Sequence, residues 1–440
     1  MHRYAGQQLL RSEIALPNDL IDRLVERGDI EVTSSFIKGK TMRCRRCGTD
    51  DHHLLAQHYC ARCQKACTYC RHCLRLGKVR ECEPLYRFPP GRAPKIKQSL
   101  RWDGTLTDAQ QIAADAVTEA VKNKTSLLIW AVTGAGKTEI VFQALEFAFS
   151  EGMRCLLATP RVDVVKELYP RFERSFPSIS IAARYGGSRL IDEYAQLIIA
   201  TTHQVMRYFR AFDVVIVDEV DAFPYSYDRS LQYAVNQAKK ANAALIYLTA
   251  TPNRPLLRDV DSIVKIPVRF HGYPLPVPRF SWCGNWKKAL EKNKLPRRIF
   301  DWLRAQRDKN VPVLFFVPTL SSLKTISPIL KERGFFHATV HADDEKRHEK
   351  IAAFRNRQLP LLVTTTILER GVTIPNVQVA VLGAEHDVFD EAALVQIAGR
   401  AGRAKQFPTG DVVFFHYGIT KAMKAAKRHI ETMNQEGERH

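Results

Sequence analysis

No stretch of the 440 residues holds the roughly 18 consecutive apolar residues that a membrane-crossing helix needs, so no segment is read as one. The opening residues, MHRYAGQQLLRSEIALPNDL, lack the apolar stretch of a secretory signal, and the cytosol is the expected compartment. Short repeats and low-complexity tracts are absent as well, which leaves an ordinary globular chain. Acidic residues are in short supply: 46 Asp and Glu face 66 Lys and Arg, a formal charge of +20 with a pI near 9.6. That imbalance calls for a polyanionic partner, nucleic acid ahead of an anionic membrane surface. Cysteine is scarce except in one stretch, since eight of the ten lie between Cys44 and Cys82. Disulfides do not persist in a reducing cytosol, so metal ligation is the expected role of that cluster.

What is present fills two or three domains, with 45% hydrophobic residues and a mean hydropathy of −0.24. The basic excess is concentrated at the front, where residues 1–101 hold 20 Lys and Arg against 10 Asp and Glu. Residues 1–40 alternate helix-like segments with Gly and Ser breaks. Residues 41–84 form the Cys-rich module, and the basic, Pro-rich 85–105 reads as a linker. From Leu106 the texture changes. Apolar runs rich in β-branched residues (SLLIWAV, RCLLATP, QLIIATT, VVIVDEV and ALIYLTAT) alternate with helix-like segments, the rhythm of a parallel sheet covered on both faces. YPLPVPRFSWCGN looks like a joint, after which VPVLFFVPT, ATVHAD, LPLLVTTT, VQVAVLG and GDVVFFH restart the rhythm. Two tandem α/β lobes are expected, 106–283 and 284–440, the second closing on a basic helix and a polar tail.

Chemistry enters at AVTGAGKT, residues 131–138, where an apolar strand runs into a helical pattern. This is a P-loop with Ala131 in the first position. The turn through Thr133, Gly134, Ala135, Gly136, Lys137 and Thr138 is the expected nucleotide cradle. Its backbone amides hold phosphate oxygens, Lys137 reaches the terminal phosphates, and the Thr138 hydroxyl ligates Mg²⁺. Gly134 and Gly136 are needed because a side chain there blocks the approach of backbone to phosphate.

A second apolar strand, VVIVDEVDAF, ends in Asp218, Glu219 and Asp221, which repel one another unless a cation is near. Ligands of parallel α/β sheets sit at the carboxyl ends of the strands, where the P-loop also lies. Asp218 is thus expected to hold Mg²⁺ opposite Thr138, and Glu219 to orient or deprotonate the attacking water. Asp221 either couples the nucleotide to the strand end at Thr249-Ala250-Thr251 or caps a helix. In QIAGRAGR, residues 396–403, Gln396, Arg400 and Arg403 fall at i, i+4 and i+7 on one helix face, while Gly399 and Gly402 permit close approach. Two arginines on one face want anions. They are expected on the γ-phosphate, Arg403 acting as the finger that stabilises the transition state, an effect of about 10³ to 10⁵ in turnover.

With AVTGAGKTE, DEVD, TAT and QIAGRAGR in this order, residues 106–418 resemble the superfamily-two helicases and translocases, whose fold is a pair of RecA-like lobes. The resemblance implies that Gln110, in LTDAQ, reads the adenine edge. It implies that Thr159, Pro160 and Arg161, Gly186 and Gly187, and Thr201 and Thr202 of TTHQ grip the nucleic-acid backbone, with Thr365 touching it from the second lobe. VPT (317–319) and TTTILERGVTIP (364–375) match second-lobe motifs, with Thr373 where many members have Asp near the ribose. QIAGRAGR, in place of His-Arg-x-Gly-Arg-x-Gly-Arg, points away from RNA-acting DEAD-box proteins towards DNA translocases such as PriA and RecG.

A Cys cluster containing CTYCRHCLRLGKVRECEPLY, then a basic linker and a DEVD-type motor, resembles more narrowly the ComFA family of competence ATPases. That resemblance implies a cytosolic protein near the inner face of the membrane and ATP hydrolysis stimulated by single-stranded DNA. It further implies a role in pulling transforming DNA through the ComEC channel, with ComFC and DprA as partners.

Cys44-x₂-Cys47-x₁₂-Cys60-x₂-Cys63 has zinc-ribbon spacing, and Cys67-x₂-Cys70-x₂-Cys73-x₈-Cys82 supplies a second set. The working division is 44/47/60/63 and 67/70/73/82, with nested pairing open. The tight triple also resembles part of an iron–sulfur ligand run, without that run's fourth spacing or following Pro. Zinc would supply folding free energy to a segment too small for an apolar core of its own. His52, His53, His58 and His72 read as surface residues rather than ligands. Arg43, Arg45, Arg46, Arg62 and Arg71 read as a grip for phosphates or an acidic partner. Trp102 is expected to pack on the first lobe in preference to stacking on adenine. The expected cofactors are ATP, Mg²⁺ and one or two Zn²⁺. Two rivals stand beside this reading: a PriA-like restart helicase, whose Cys cluster interrupts the motor instead of preceding it, and a zinc-stapled nucleic-acid adaptor with a vestigial motor.

Overall fold

The structure, a computed structural model, describes residues 2–188, 194–369 and 374–439. It comprises two compact units, Met1–Ile129 with Thr138–Val264, and Trp130–Lys137 with Lys265–His440.

The apolar runs of the first half become neighbouring strands of one seven-stranded sheet. Its order is Ile181–Arg184, Leu197–Thr201, Cys155–Thr159, Phe212–Asp218, Lys239–Thr249, Ser126–Ala131, Ser262–Ile266. From Ile181–Arg184 across to Lys239–Thr249 the pairings are parallel. Cys155–Thr159 and Leu197–Thr201 are buried at every position, as strands covered on both faces must be. The two strands that the apolar rhythm does not announce, Ile181–Arg184 and Ser262–Ile266, are the sheet's edges, where side chains are only partly covered. Thr159, Thr201 and Asp218 each end one of three parallel strands.

The N-terminal residues do not form a separate bead. Gln8–Leu9 and Glu31–Thr33 flank Leu85–Arg87 in one antiparallel sheet, which joins the segment before the Cys module to the one after it. Gln8 N–H donates to the Arg207 carbonyl at 2.7 Å and Phe209 N–H to that of Gly6 at 2.9 Å. The buried Arg154 donates to the carbonyls of Ala5 and Ala195 at 2.7 and 3.1 Å. Cys44, Cys47, Cys70 and Cys73 belong to one apolar cluster with Leu156 and Val215 of the large sheet and Leu231 and Val235 of helix Arg229–Ala238. The buried cysteines of the module thus share the core of the lobe.

In the second unit six strands, all parallel, run in the order Arg279–Trp282, Val412–His416, Gln378–Leu382, Val313–Phe316, Leu361–Thr364, Ala338–Val340. Phe315, Val363, Leu382 and Phe415 pack against Ile299 and Leu303 of helix Arg297–Asp308 and Ile326 and Leu330 of helix Leu320–Glu332. The stretch read as a joint contributes the edge strand Arg279–Trp282, paired with Val413 to His416. Its flanking prolines and glycines hide a four-residue strand from a reading based on apolar runs. The closing basic helix is Lys421–Gly437, whose buried Met423, Ala426, Ile430 and Met433 form one apolar stripe. Each unit is therefore built on a parallel α/β sheet, as the repeated rhythm predicts.

Candidate active site and metal centres

Strand Ser126–Ala131 gives way to the P-loop turn, then to a 3₁₀ turn at Glu139–Val141, and only then to helix Phe142–Ser150. Gly134 and Gly136 have φ of +83° and +76°, a conformation in which a Cβ meets its own backbone. A Cβ on Gly134 would come no nearer than 3.8 Å to Arg269, so conformation rather than crowding demands glycine there. Within the second unit the turn is tied to the chain at 266–270. Val132 N–H donates to the Ile266 carbonyl at 3.0 Å, and Phe270 N–H to that of Gly134 at 3.1 Å. Lys137 and Thr138 are half-exposed.

The second-unit arginines do not share a helix face. Helix Glu391–Ala398 stops at Gly399, and Arg400 and Arg403 lie in the turn beyond it. Gly402 turns the chain with φ of +67° beyond the helix end, whose last carbonyls, Ile397 and Ala398, accept the N–H groups of Arg400 and Ala401 at 3.0 and 3.2 Å. Arg403 Nε donates to the Gly399 carbonyl at 3.0 Å. Arg269, which the sequence reading passed over, donates Nη2 to Gly399 at 3.2 Å and Nη1 to Gly402 at 2.5 Å. His271 Nε2 gives the Gly402 carbonyl a further hydrogen bond at 3.0 Å. The expected i, i+4, i+7 alignment therefore fails beyond Gln396. The close approach expected of the glycines is present: a Cβ on Gly399 would overlap Thr133 Oγ1 of the P-loop turn, and one on Gly402 the Pro408 carbonyl. Arg400 is buried and donates Nε to the Glu369 carbonyl at 2.9 Å. Gln396 is buried too, and its amide nitrogen meets no partner among the described residues.

In the first unit, Asp218 closes strand Phe212–Asp218, and its Oδ1 accepts the Glu219 N–H at 2.9 Å. Glu219 sits at φ +56°, a left-handed conformation that costs a non-glycine residue about 1 kcal/mol or more and is found where function fixes a side chain. The Asp221 carboxylate accepts the Thr251 hydroxyl, and Thr251 N–H donates to Thr249 Oγ1 at 3.0 Å. Of the two readings of Asp221, the strand-end contact is the one formed. The next helix, Arg229–Ala238, is capped by Asp228.

Thr159 and Thr201 face each other in register, and both are buried, as are Pro160 and Thr202. Arg161 is half-exposed at the start of helix Val162–Ser175. Gly186 and Gly187 form an exposed turn with nothing within 4 Å of a Cβ at either. Thr365 is half-exposed just after strand Leu361–Thr364, whereas Thr373 lies outside the described residues. Gln110 has a local task that the adenine reading leaves out. Its Oε1 accepts the Thr107 N–H at 2.9 Å, and Thr107 Oγ1 accepts the Gln110 N–H, which together cap helix Asp108–Asn123. Trp102 meets Phe142 edge to face at 5.7 Å, on the lobe.

The cysteines divide otherwise than in the working split. Cys44, Cys47, Cys70 and Cys73 form one group and Cys60, Cys63, Cys67 and Cys82 the other, each with its sulfurs within 4.8 Å of one another. The hairpin of Leu55–Cys60 and Lys65–Cys70 explains why. Cys67 and Cys70 look like a knuckle in the sequence but lie in an extended strand. Three residues apart there, they point to opposite faces and are separated by about 10 Å along it. The sulfur separations Cys47–Cys70, Cys44–Cys73 and Cys60–Cys82 are 3.6, 3.9 and 3.8 Å. Tetrahedral zinc with Zn–S bonds of about 2.3 Å sets sulfurs about 3.8 Å apart, so both groups fit a single four-coordinate metal ion without any histidine.

Crowding governs the thiols. Hydrogen bonds from Cys47, Cys70 and Cys73 hold the Cys44 thiol far below its usual range, while Cys44 in turn pushes Cys47 and Cys73 up. At Cys60, the backbone N–H groups of Cys63 and Arg62 lower the thiol to about 6. A divalent cation removes the obstacle to ionising all four sulfurs of a group.

Several of the interleaved basic residues are engaged within the chain, though only Arg46 turns inward. Arg46 is buried against Glu13 at 3.0 Å, Arg62 reaches Glu83 at 3.1 Å, and Arg45 donates to the Ser34 carbonyl at 2.8 Å. His72 Nε2 pairs with Asp228 at 2.9 Å, and His52 and His53 are exposed.

Residues 1–87 match the competence protein ComFA N-terminal domain, residues 103–254 the type III restriction enzyme res subunit, and residues 292–405 the helicase conserved C-terminal domain. The competence protein ComFA of Bacillus subtilis (strain 168) is 46% identical over 436 residues, which cover 98% of this chain and 94% of that one. ComFA of Streptococcus pneumoniae (strain ATCC BAA-255 / R6) is 38% identical over 411 residues, 91% of each chain. The solved structure of the DEAD-box helicase Mss116 bound to ssRNA and UDP-BeF is alike in fold, with a TM-score of 0.55 and 16% identity over 74% of this chain and 77% of that one. Two helicase-type lobes behind a ComFA-type N-terminal module, related along nearly the whole length to proteins of the same make-up, mean that the chain belongs to the ComFA family of competence proteins.

Proposed function

We propose that this chain is a single-stranded-DNA-stimulated ATPase that moves along the strand and helps to draw transforming DNA into the cell. One observation carries the reading: the turn bearing Arg400 and Arg403 packs on the P-loop turn within one unit, Gly399 against Thr133. Cationic and amide-rich turns brought together in this way call for a polyphosphate. In this reading Lys137 and the amides from Gly134 to Thr138 hold the phosphates, with Thr133 and Gln396 beside them and Gln110 at the base. Thr138 and Asp218 hold Mg²⁺, Glu219 orients the attacking water, and Asp221 links the acids to Thr251. Arg400 and Arg403 stabilise the charge that develops on the γ-phosphate.

The charge of +20 suits a nucleic-acid track. Gly186 and Gly187, exposed and without side chains, together with Arg161 and Thr365, are the groups best exposed to meet its backbone. Each Cys₄ group holds one structural zinc. The competence role of the relatives brings ComFC, DprA and the ComEC channel into this proposal as partners, at the inner face of the membrane.

The test is phosphate release by the purified chain. Glu219→Gln is expected to abolish ATP turnover while leaving affinity for a fluorescent oligonucleotide within about twofold. Full turnover in that variant removes Glu219 from the chemistry and, with it, the assignment of the acidic strand end.

A further inference from the structure

Arg269 lies outside every motif named above, yet it spans two of them. It is 2% exposed, and its two terminal nitrogens hold the carbonyls of Gly399 and Gly402, the residues that immediately precede Arg400 and Arg403. Its aliphatic stem runs past Gly134, and the next residue, Phe270, donates its N–H to the Gly134 carbonyl at 3.1 Å. His271 adds a second hydrogen bond to the Gly402 carbonyl at 3.0 Å. A Cβ on Gly402 would stand 2.9 Å from Arg269 Nη1, so a side chain at that position would compete with the guanidinium for its place. Arg269 Nε meets no partner among the described residues. Burial, and Arg403 beside it, bring the Arg269 guanidinium down to about 9. A buried cation next to a second cation is costly until an anion joins them.

We propose that Arg269 is a positioning residue for ATP hydrolysis, holding the turn at 399–403 against the P-loop turn so that Arg400 and Arg403 are presented to the triphosphate. The inference rests on the reading of this site as an ATPase. A guanidinium on the carbonyl of Gly399, the C-terminal cap residue of helix Glu391–Ala398, is stabilising in its own right. The role as a helix cap and the role in positioning must therefore be separated by experiment.

Arg269→Lys keeps a cation but loses the planar fork that serves two carbonyls at once. In the full-length, zinc-loaded chain we expect its melting temperature to stay close to that of the wild type and its KM for ATP to change by less than about threefold. We expect kcat to fall about 100-fold, the usual penalty for catalytic groups misplaced by about 1 Å. Its preference for ADP–aluminium fluoride over ADP, read by displacement of a fluorescent nucleotide, should fall in parallel, because that preference reports the groups around the γ-phosphate. Should the lysine variant fail to fold, His271→Phe removes one donor from Gly402 and is expected to lower kcat about tenfold at unchanged KM. A kcat within twofold of wild type in whichever variant folds, or a loss of kcat that only follows a loss of folded protein, overturns the proposal and leaves Arg269 as a helix cap. If the wild-type chain itself releases no phosphate, the ATPase reading falls and this inference falls with it. An active wild type with an unaffected variant overturns the inference alone.

Discussion

Gly402 shows what a single hydrogen in place of a side chain decides. It sits at φ +67° with the Pro408 carbonyl and the Arg269 guanidinium against the place a Cβ would occupy. Gly402→Ala has neither a relaxed backbone nor free space, and is expected to lower stability by about 1–3 kcal/mol in urea unfolding. ATP turnover should fall further than the unfolded fraction explains, since the same turn carries both arginines. A variant as stable and active as wild type would contradict this packing. At this scale the sequence is legible where the chemistry is contiguous. The P-loop turn and the acids at 218–221 are each set by neighbours in the chain, and their residue types suggest a phosphate and cation site before any contact is known. Arg269 is not legible because its partners, Gly399 and Gly402, are 130 and 133 residues away. Nothing in HGYPLP or PVRF signals that a carbonyl pair waits for it.

Among the elements, spacing showed that the eight cysteines gather into groups and was a poor guide to which of them share one. Eight cysteines were readable as metal ligands, but Cys-x₂-Cys is a knuckle only in a turn. In strand Lys65–Cys70 the same spacing divides Cys67 and Cys70 between two centres. A metal count discriminates the two divisions. The wild type is expected to hold two zinc ions per chain and Cys44→Ser/Cys70→Ser one, since both residues serve one centre. Loss of both ions in the double variant would restore the sequential pairing.

The helix that opens QIAGRAGR ends earlier than its periodicity suggests: the N–H groups of Arg400 and Ala401 close tight turns on Ile397 and Ala398, and the side chains of Arg269, His271 and Arg403 take the carbonyls of Gly399 and Gly402. The strand Arg279–Trp282, hidden among prolines, is held by Asp411, which accepts Arg279 Nε and Nη2 at 3.0 and 3.1 Å and Trp302 Nε1 at 2.6 Å. Burial raises the Asp411 carboxyl, but the bonds from Arg279 and Trp302 outweigh it and hold the group below its ordinary value. A depressed carboxylate stabilises the fold above its unfolded value of about 3.9, and that contribution is lost as pH falls through the lower folded value. Asp411→Asn should therefore cost about 1–3 kcal/mol at neutral pH, and the deficit should shrink below about pH 4. A deficit independent of pH would show that the charge plays no part.

Across the whole molecule, the sequence made the order of parts plain: a basic, Cys-rich front, then two parallel α/β sheets. It left the first of these joined to its neighbour in a way composition does not express. The front module lies in the same apolar cluster as Leu156 and Val215, and its first residues pair with the chain at 207–209. A Cys-rich segment that shares a lobe's core is part of that lobe's stability rather than an appendage on a linker. Those contacts join residues more than a hundred positions apart, beyond the reach of any local pattern.

The central claim, that this chain turns over ATP under the control of a DNA strand, is tested most directly by the rate of phosphate release from the zinc-loaded protein as single-stranded DNA is titrated in. The expected result is a low rate without DNA that rises with added strand to a plateau and is lost in Lys137→Ala. Phosphate release that is absent throughout, or that is the same with and without DNA, contradicts it.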